Sequence, residues 1–238
     1  MSILKTSTRV IARVWPIYLV LAGFVVASDL LSSRIVAAVI QLYIYCIAIH
    51  ATHNAILTER VDTWGTDALA LLARRVSMEF WGLMLLVVLL PLFVGMALAF
   101  VVLPDVTAYA QIPLMLCIVV PFWICLSLFG VLIPQRVWLD VNEDQDIPSV
   151  QPRSTWFYVG TRLLLWNMIY ICLLVAMTAG YVVLRRSGLE EFIPFSETLA
   201  NFVFSAFGFI AVTLTAAVLS HAFLRKYSLG PQGLIRDI

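Results

Sequence analysis

Three histidines are the residues of this chain whose type and spacing could support chemistry. His50 and His53 are three positions apart, so a helix would place both imidazoles on one face. His221 lies near the end of a later apolar segment, at a membrane depth similar to that expected for His53. Imidazoles from two neighbouring helices can ligate haem iron, and three imidazoles can hold a divalent metal.

A structural role for these histidines is the interpretation that we favour. Neutral imidazoles can form hydrogen bonds between helices or to lipid head groups, each contributing about 1 kcal/mol. No carboxylate lies close in the sequence to orient the rings for a metal. The sequence also lacks the glycine-rich loops of nucleotide-binding proteins and the Gly-x-Ser-x-Gly turn of serine hydrolases. We therefore predict no catalytic residue and no cofactor, with haem or a divalent metal at the three histidines as the alternative.

Hydropathy determines which elements must position these residues. The chain is 62% apolar and 12% charged, whereas soluble domains carry about 25% charged residues. The stretch from Phe80 to Gln135 contains a single charged residue, Asp105, near its middle. Each half has the roughly 20 apolar residues that cross a bilayer. Backbone polar groups in lipid must be paired within the segment, so each half is predicted to be a helix.

The same criteria applied to residues 1–238 predict a single transmembrane domain of the all-α class. It is a polytopic bundle of six spans arranged as three hairpins, with short interfacial amphipathic helices at residues 1–12 and 68–78. The predicted spans are about residues 13–31, 35–57, 80–103, 112–133, 163–184 and 198–224. The formal net charge of +1 gives no basic surface for nucleic acid.

Prolines occur in the middle of the third and fourth predicted spans, at Pro91 and Pro121. A proline inside a helix removes one backbone hydrogen bond and bends the helix. Two facing bends could open a solute pathway, as in transporters with broken helices. The polar segment that follows, residues 135–155, is predicted to be a solvated loop.

Basic residues indicate the orientation of the spans. With a cytoplasmic N-terminus, three of the 15 Lys and Arg residues fall on the far side of the membrane, namely Arg34, Arg185 and Arg186. The others fall on the cytoplasmic side. Because cytoplasmic loops are enriched in Lys and Arg, both termini are predicted to be cytoplasmic.

The layout of the three hairpins repeats faintly along the chain. Trp81 and Trp166 each open an odd-numbered span after a polar segment, and the second lead-in reads Trp156-Phe-Tyr-Val-Gly-Thr-Arg-Leu-Leu-Leu-Trp-Asn167. This layout resembles a broad group of bacterial six-span inner-membrane proteins. The group includes the Yip1-like domains and the membrane domains attached to some glycerophosphodiester phosphodiesterases. The resemblance implies a bacterial inner-membrane protein and carries over no catalytic residue.

We predict a non-enzymatic integral membrane protein whose partners are the lipid bilayer and other membrane subunits or further copies of itself. It would act as a partner-binding, lipid-organising or accessory subunit of a membrane complex. The first alternative is an electron-transfer subunit that binds haem or a metal through His50, His53 and His221. The second alternative is a small-solute transporter that works through the bends at Pro91 and Pro121.

Overall fold

The computed structural model describes residues 3–31, 33–58, 77–102, 111–141, 156–187 and 196–227. These residues form α-helices and short turns, with no β-strand among them, so the all-α prediction is confirmed for this part of the chain. The helices are α1 (Ile3–Ser28), α2 (Arg34–Thr58), α3 (Met78–Val102), α4 (Gln111–Phe129), α5 (Leu132–Val141), α6 (Trp156–Arg186) and α7 (Ser196–Tyr227).

Four of these helices contain a stretch that is long and apolar enough to cross a membrane. The stretches are Arg34–Leu57, Met78–Leu98, Trp156–Val183 and Thr198–Arg225. A fifth crossing results if α4 and α5, which pass the same test together, form one bent span. The structure thus supports a multi-pass membrane protein with four to five apolar helices of sufficient length. The four single helices correspond to the predicted second, third, fifth and sixth spans.

Helix α1 continues without a break from the predicted interfacial segment into the predicted first span. Ser7, Val10 and Val14 are buried at helical spacing, so one side of the N-terminal part of α1 is covered by protein. The apolar part of α1, Val14–Ser28, is shorter than the four stretches named above. The second predicted interfacial helix, at residues 68–78, lies outside the described residues except for its last two positions.

The fourth predicted span, residues 112–133, is broken near its end. α4 and α5 meet at a bend of 52°. The Gly130 amide donates to the Leu126 carbonyl at 2.9 Å, and the Ile133 amide donates to the Gly130 carbonyl at 3.1 Å. Pro134 has no amide hydrogen, so the regular four-residue bond to the Gly130 carbonyl cannot form. Pro121 lies within α4, and the break comes after it.

Part of the polar segment predicted as a loop is helical, which corrects the sequence interpretation. α5 runs to Val141, so residues 135–141 belong to a helix. The loop was predicted because residues such as Arg136 and Asp140 are polar. Their i,i+4 spacing, however, lets them pair on one face of a helix. Their Nε and Oδ1 atoms are 3.1 Å apart. Residues 142–155 of the predicted loop lie outside the described residues.

The described residues divide into two compact units. Unit one contains α1, α2, α6 from Leu165 onward and α7 as far as Ala217. Unit two contains α3, α4, α5, the start of α6 up to Leu164 and the end of α7 from Val218. Within unit one α1 packs against α2, and within unit two α3 packs against α4 and α5.

Polar contacts hold the turn between α1 and α2 in unit one. Gln41 Nε2 donates to Ser28 Oγ at 3.0 Å and to Asp29 Oδ1 at 2.7 Å. Ser33 Oγ accepts from the Val36 amide at 3.4 Å, at the N-terminal end of α2. These contacts join the C-terminal end of α1 to the N-terminal half of α2.

Candidate functional site

The three predicted site histidines lie on two helices. His50 and His53 are buried on the same side of α2, and His53 has no exposed surface. His221 is half-buried on α7. The first two belong to unit one and the third to unit two. Among the described residues, no group of three or more His, Cys, Asp or Glu side chains could hold a metal ion. A haem or metal site at these histidines stays the untested alternative to the predicted structural role.

Three hydroxyl groups in unit one form a buried polar contact, which we call the hydroxyl cluster. Tyr18 Oη lies 2.5 Å from Thr52 Oγ1 and 2.8 Å from Thr213 Oγ1. Both threonines are completely buried and Tyr18 is 4% exposed. The cluster therefore joins α1, α2 and α7 at a position from which water is excluded.

The three hydroxyl groups of the hydroxyl cluster have three protons to donate but lie in four contacts at hydrogen-bond distance. Thr52 Oγ1 donates to the Ala48 carbonyl at 2.6 Å, and Thr213 Oγ1 donates to the Phe209 carbonyl at 2.9 Å. Each hydroxyl carries one proton. With both threonine protons on the backbone, Tyr18 can donate to only one threonine at a time. The cluster thus forms three hydrogen bonds, and the tyrosine has two alternative acceptors.

Aromatic rings pack beside the hydroxyl cluster. The Phe209 ring stacks on Tyr18 at a centroid distance of 5.2 Å and on Tyr45 at 5.0 Å. A Cβ atom at Gly208 would lie 3.0 Å from Tyr45 Oη, so glycine at this position lets the tyrosine lie close against α7. Rings at these distances add attraction beyond the apolar area that they bury. The surroundings of the cluster are therefore aromatic and dry.

Sequence reasoning missed the hydroxyl cluster. Thr52 lies in the most polar predicted span, but Thr213 lies in an apolar segment with no charged residue beside it to mark it. Threonine inside a helix usually bonds its own backbone four residues earlier, and both threonines do so here. A tyrosine in the middle of an apolar span was the one usable signal, because a buried tyrosine hydroxyl usually finds a partner.

A second polar group, the α3–α5 ionic network, lies in unit two. It consists of Ser77, Glu79, Arg136 and Asp140. Arg136 Nε donates to Ser77 Oγ at 3.1 Å and lies 3.1 Å from Asp140 Oδ1, while its terminal nitrogen donates to Glu79 Oε2 at 3.0 Å. The Ser77 hydroxyl donates to Asp140 Oδ2 at 3.0 Å.

The same serine begins helix α3. Ser77 Oγ accepts from the Phe80 amide at 3.2 Å, which satisfies one of the free amides at the start of the helix. Because Arg136 and Asp140 both contact this serine, the network ties the start of α3 to α5, on the far side of the bend at Gly130. The Asp140 side chain is 12% exposed and the Glu79 side chain is 69% exposed. The aspartate is therefore the better shielded partner.

A third contact in unit two joins α4 to α6. Trp123 Nε1 donates to the Gly160 carbonyl at 3.1 Å, and Ser127 Oγ donates to the Trp123 carbonyl at 2.7 Å. A Cβ atom at Gly160 would lie 3.0 Å from Ser127 Oγ and 3.3 Å from the Trp123 ring. Glycine thus allows the two helices to approach closely here.

The polar groups described above join helices to one another. The hydroxyl cluster uses its protons within itself and on the backbone, and the ionic network uses Arg136 to hold two carboxylates and a serine. No protein-family model, curated protein or solved structure matches this chain.

Proposed function

We propose that this chain is a non-enzymatic accessory subunit of the bacterial inner membrane that associates with other membrane helices. In this proposal it crosses the membrane six times as three hairpins, with α1 as the first span, α4 and α5 together as the fourth, and both termini in the cytoplasm. The four to five apolar helices support a multi-pass arrangement. The excess of Lys and Arg on one side supports the orientation.

The exposure of α6 is the observation that carries this proposal. In an apolar 18-residue window of its spanning stretch, only 6% of the residues are buried, against 39% in the corresponding windows of α2 and α7. Its exposed apolar side chains include Leu164, Leu165, Met168, Ile169, Ile171, Leu173, Val175, Val182 and Val183. Successive residues on a helix point in different directions, so this run covers several faces. α6 therefore has free surface for lipid and for a helix of another subunit.

Small residues on α6 suit such a helix contact. Ala176 and Gly180 are four positions apart and both are exposed. A Cβ atom at Gly180 would meet no other atom within 4 Å. Small residues at this spacing let two membrane helices approach closely, and packing then supplies the attraction. In our proposal the partner helix packs against Ala176 and Gly180.

The association is tested with Gly180→Leu, which places a bulky side chain at the proposed contact. Gly82→Leu on α3 is the matched control, because Gly82 also has nothing within 4 Å and is followed four positions later by a leucine. We expect tagged wild-type protein, extracted from its own membrane, to elute larger than a monomer. Gly180→Leu should elute as the monomer and Gly82→Leu should behave as wild type.

The composition of the larger species identifies the partner, since a single polypeptide indicates a homo-oligomer and a second one indicates a different subunit. A wild-type monomer without a co-purified membrane protein would contradict the proposal. So would an unchanged elution of Gly180→Leu.

The topology is tested separately with reporter fusions. Reporters after Ile238 and between Gln145 and Ser149 should report the cytoplasm, and one near Thr107 should report the far side. A reporter after Ile238 that is active only outside the cytoplasm would refute an even number of spans with a cytoplasmic N-terminus.

A further inference from the structure

Two arginines from different helices converge on one tyrosine ring in unit two. The guanidinium carbon of Arg162 lies 5.4 Å from the centroid of the Tyr158 ring, and that of Arg225 lies 5.3 Å from the same centroid. Both distances are within the range in which a cation is attracted to the face of an aromatic ring. Arg162 is one turn beyond Tyr158 on α6, whereas Arg225 lies in the last turn of α7. The three residues are called the arginine pair site below.

The two positive charges of this site have no partner carboxylate within the part of the chain that the structure describes. Within the described residues, neither arginine has a carboxylate at salt-bridge distance; the ion pairs found there involve Arg136. Both arginine side chains are exposed. Two like charges held over one ring repel each other, and the attraction of each cation to a ring near the protein surface is weak. An anion bound to both guanidinium groups would offset this repulsion.

The position of the site along its helices matches the head-group layer of a membrane. Arg162 lies near the start of the spanning stretch of α6, and Arg225 ends the spanning stretch of α7. Just before the site, Trp156 and Phe157 are 48% and 68% exposed. Exposed aromatic rings next to the end of a spanning helix are typical of the membrane–water interface. The site therefore lies where lipid phosphates are found.

Apolar side chains continue from the site towards the membrane interior. Leu164 and Leu165 are each 54% exposed and lie about two turns beyond Tyr158, which is about 10 Å at 1.5 Å per residue. A lipid with its phosphate at the arginines could thus place the first part of an acyl chain along these leucines. Free phosphate would use the arginines alone. The adjoining exposed leucines therefore favour a lipid over a soluble anion.

We propose that Arg162 and Arg225, held against the ring of Tyr158, bind the phosphate group of an anionic phospholipid. The planar guanidinium groups keep N–H donors in their own planes while they lie over the ring, and these donors fit phosphate oxygens in pairs. On the cytoplasmic side assigned above, the lipid leaflet is the one rich in anionic head groups. The site does not involve Ala176 or Gly180, so it stands apart from the proposed helix partner.

The test uses the full-length protein in detergent, titrated with phosphatidylglycerol and followed by native mass spectrometry of the protein–lipid complex. We expect the Arg162→Gln/Arg225→Gln variant to bind phosphatidylglycerol about tenfold more weakly than wild type, since each basic residue near a membrane surface contributes to the attraction. Titration with phosphatidylcholine, which has no net charge, should show weak binding to both proteins. Arg186→Gln, an exposed arginine at the other end of α6, is the matched control and should bind as wild type.

Single-site and competition arms complete the test. If the double variant does not fold, Arg225→Gln alone, in the last turn of α7, should still weaken phosphatidylglycerol binding several-fold. Unchanged affinity in the folded arginine variant would overturn the proposal, as would an equal loss in Arg186→Gln. Displacement of phosphatidylglycerol by millimolar inorganic phosphate would identify a soluble-anion site and overturn the lipid assignment. Gly180→Leu should bind the lipid as wild type, which separates this site from the association through α6.

Discussion

Removing the hydroxyl cluster in steps should change stability in a non-additive way. Thr52→Val removes one hydrogen bond, because Tyr18 can still donate to Thr213. Thr213→Val likewise leaves Thr52 as the acceptor for Tyr18. The double variant removes both threonine donors and also leaves the tyrosine hydroxyl without an acceptor in the cluster. Each single substitution therefore costs one hydrogen bond, and the double substitution costs three.

The magnitude follows from this count of bonds. A hydrogen bond between membrane helices contributes about 0.6 kcal/mol on average, and the threonine bonds within their own helices should contribute no more than that. Each single variant should therefore lose at most about 0.6 kcal/mol, and the double variant at most about 1.8 kcal/mol from the lost bonds alone. The double variant should lose a further ~1–3 kcal/mol, because the Tyr18 hydroxyl stays buried without a partner. Adding Tyr18→Phe to the double variant removes that hydroxyl and keeps the ring stacked on Phe209. The triple variant should therefore be more stable than the double variant.

The assay is equilibrium unfolding in mixed micelles of a mild detergent and dodecyl sulfate, followed by circular dichroism. Thr178→Val is the control, because this exposed threonine donates to the Leu174 carbonyl at 2.8 Å and lies outside the cluster. The free energy of unfolding of this control should stay within about 0.5 kcal/mol of that of the wild type. A double variant that loses only the sum of the single losses would refute the shared-proton interpretation. A triple variant no more stable than the double would refute it as well.

Three further predictions concern other parts of the fold. Gly130→Ala should lower the free energy of unfolding by about 1–3 kcal/mol in the same assay. The Cβ atom of the alanine would overlap the Leu126 carbonyl oxygen and lie 2.9 Å from Leu219 Cδ2. An effect no larger than that of Gly82→Ala, where a Cβ meets nothing within 4 Å, would contradict this prediction. Asp140→Asn should lower the free energy of unfolding by about 1–3 kcal/mol, and Glu79→Gln should lower it by less than ~1 kcal/mol. The reason is that only the aspartate is well shielded from water. A larger loss in Glu79→Gln than in Asp140→Asn would contradict this prediction. Protein purified after haem-supplemented expression should show no Soret absorption. A Soret band that disappears when His53 or His221 is substituted would instead support the haem alternative.

The sequence by itself determined the helical class and the approximate position of the spanning segments. Both follow from local hydropathy, since an apolar run in lipid must pair its own backbone groups. The stretches Arg34–Leu57 and Thr198–Arg225 begin and end within a residue or two of the predicted spans for this reason. The short apolar part of α1 was also visible in the sequence, because Asp29 follows it directly.

Only the tertiary structure decided where the helices break and which polar groups meet. The break at Gly130 depends on Pro134 and on the crowding of Leu126 and Leu219 around the glycine. Arg136 and Asp140 on α5 contact Ser77, a residue about 60 positions earlier that a local hydropathy window does not include. The contact between Tyr18 and Thr213 joins residues that are 195 positions apart. Hydropathy reports the surroundings that a segment needs, whereas the pairing of buried polar atoms depends on which helices pack together.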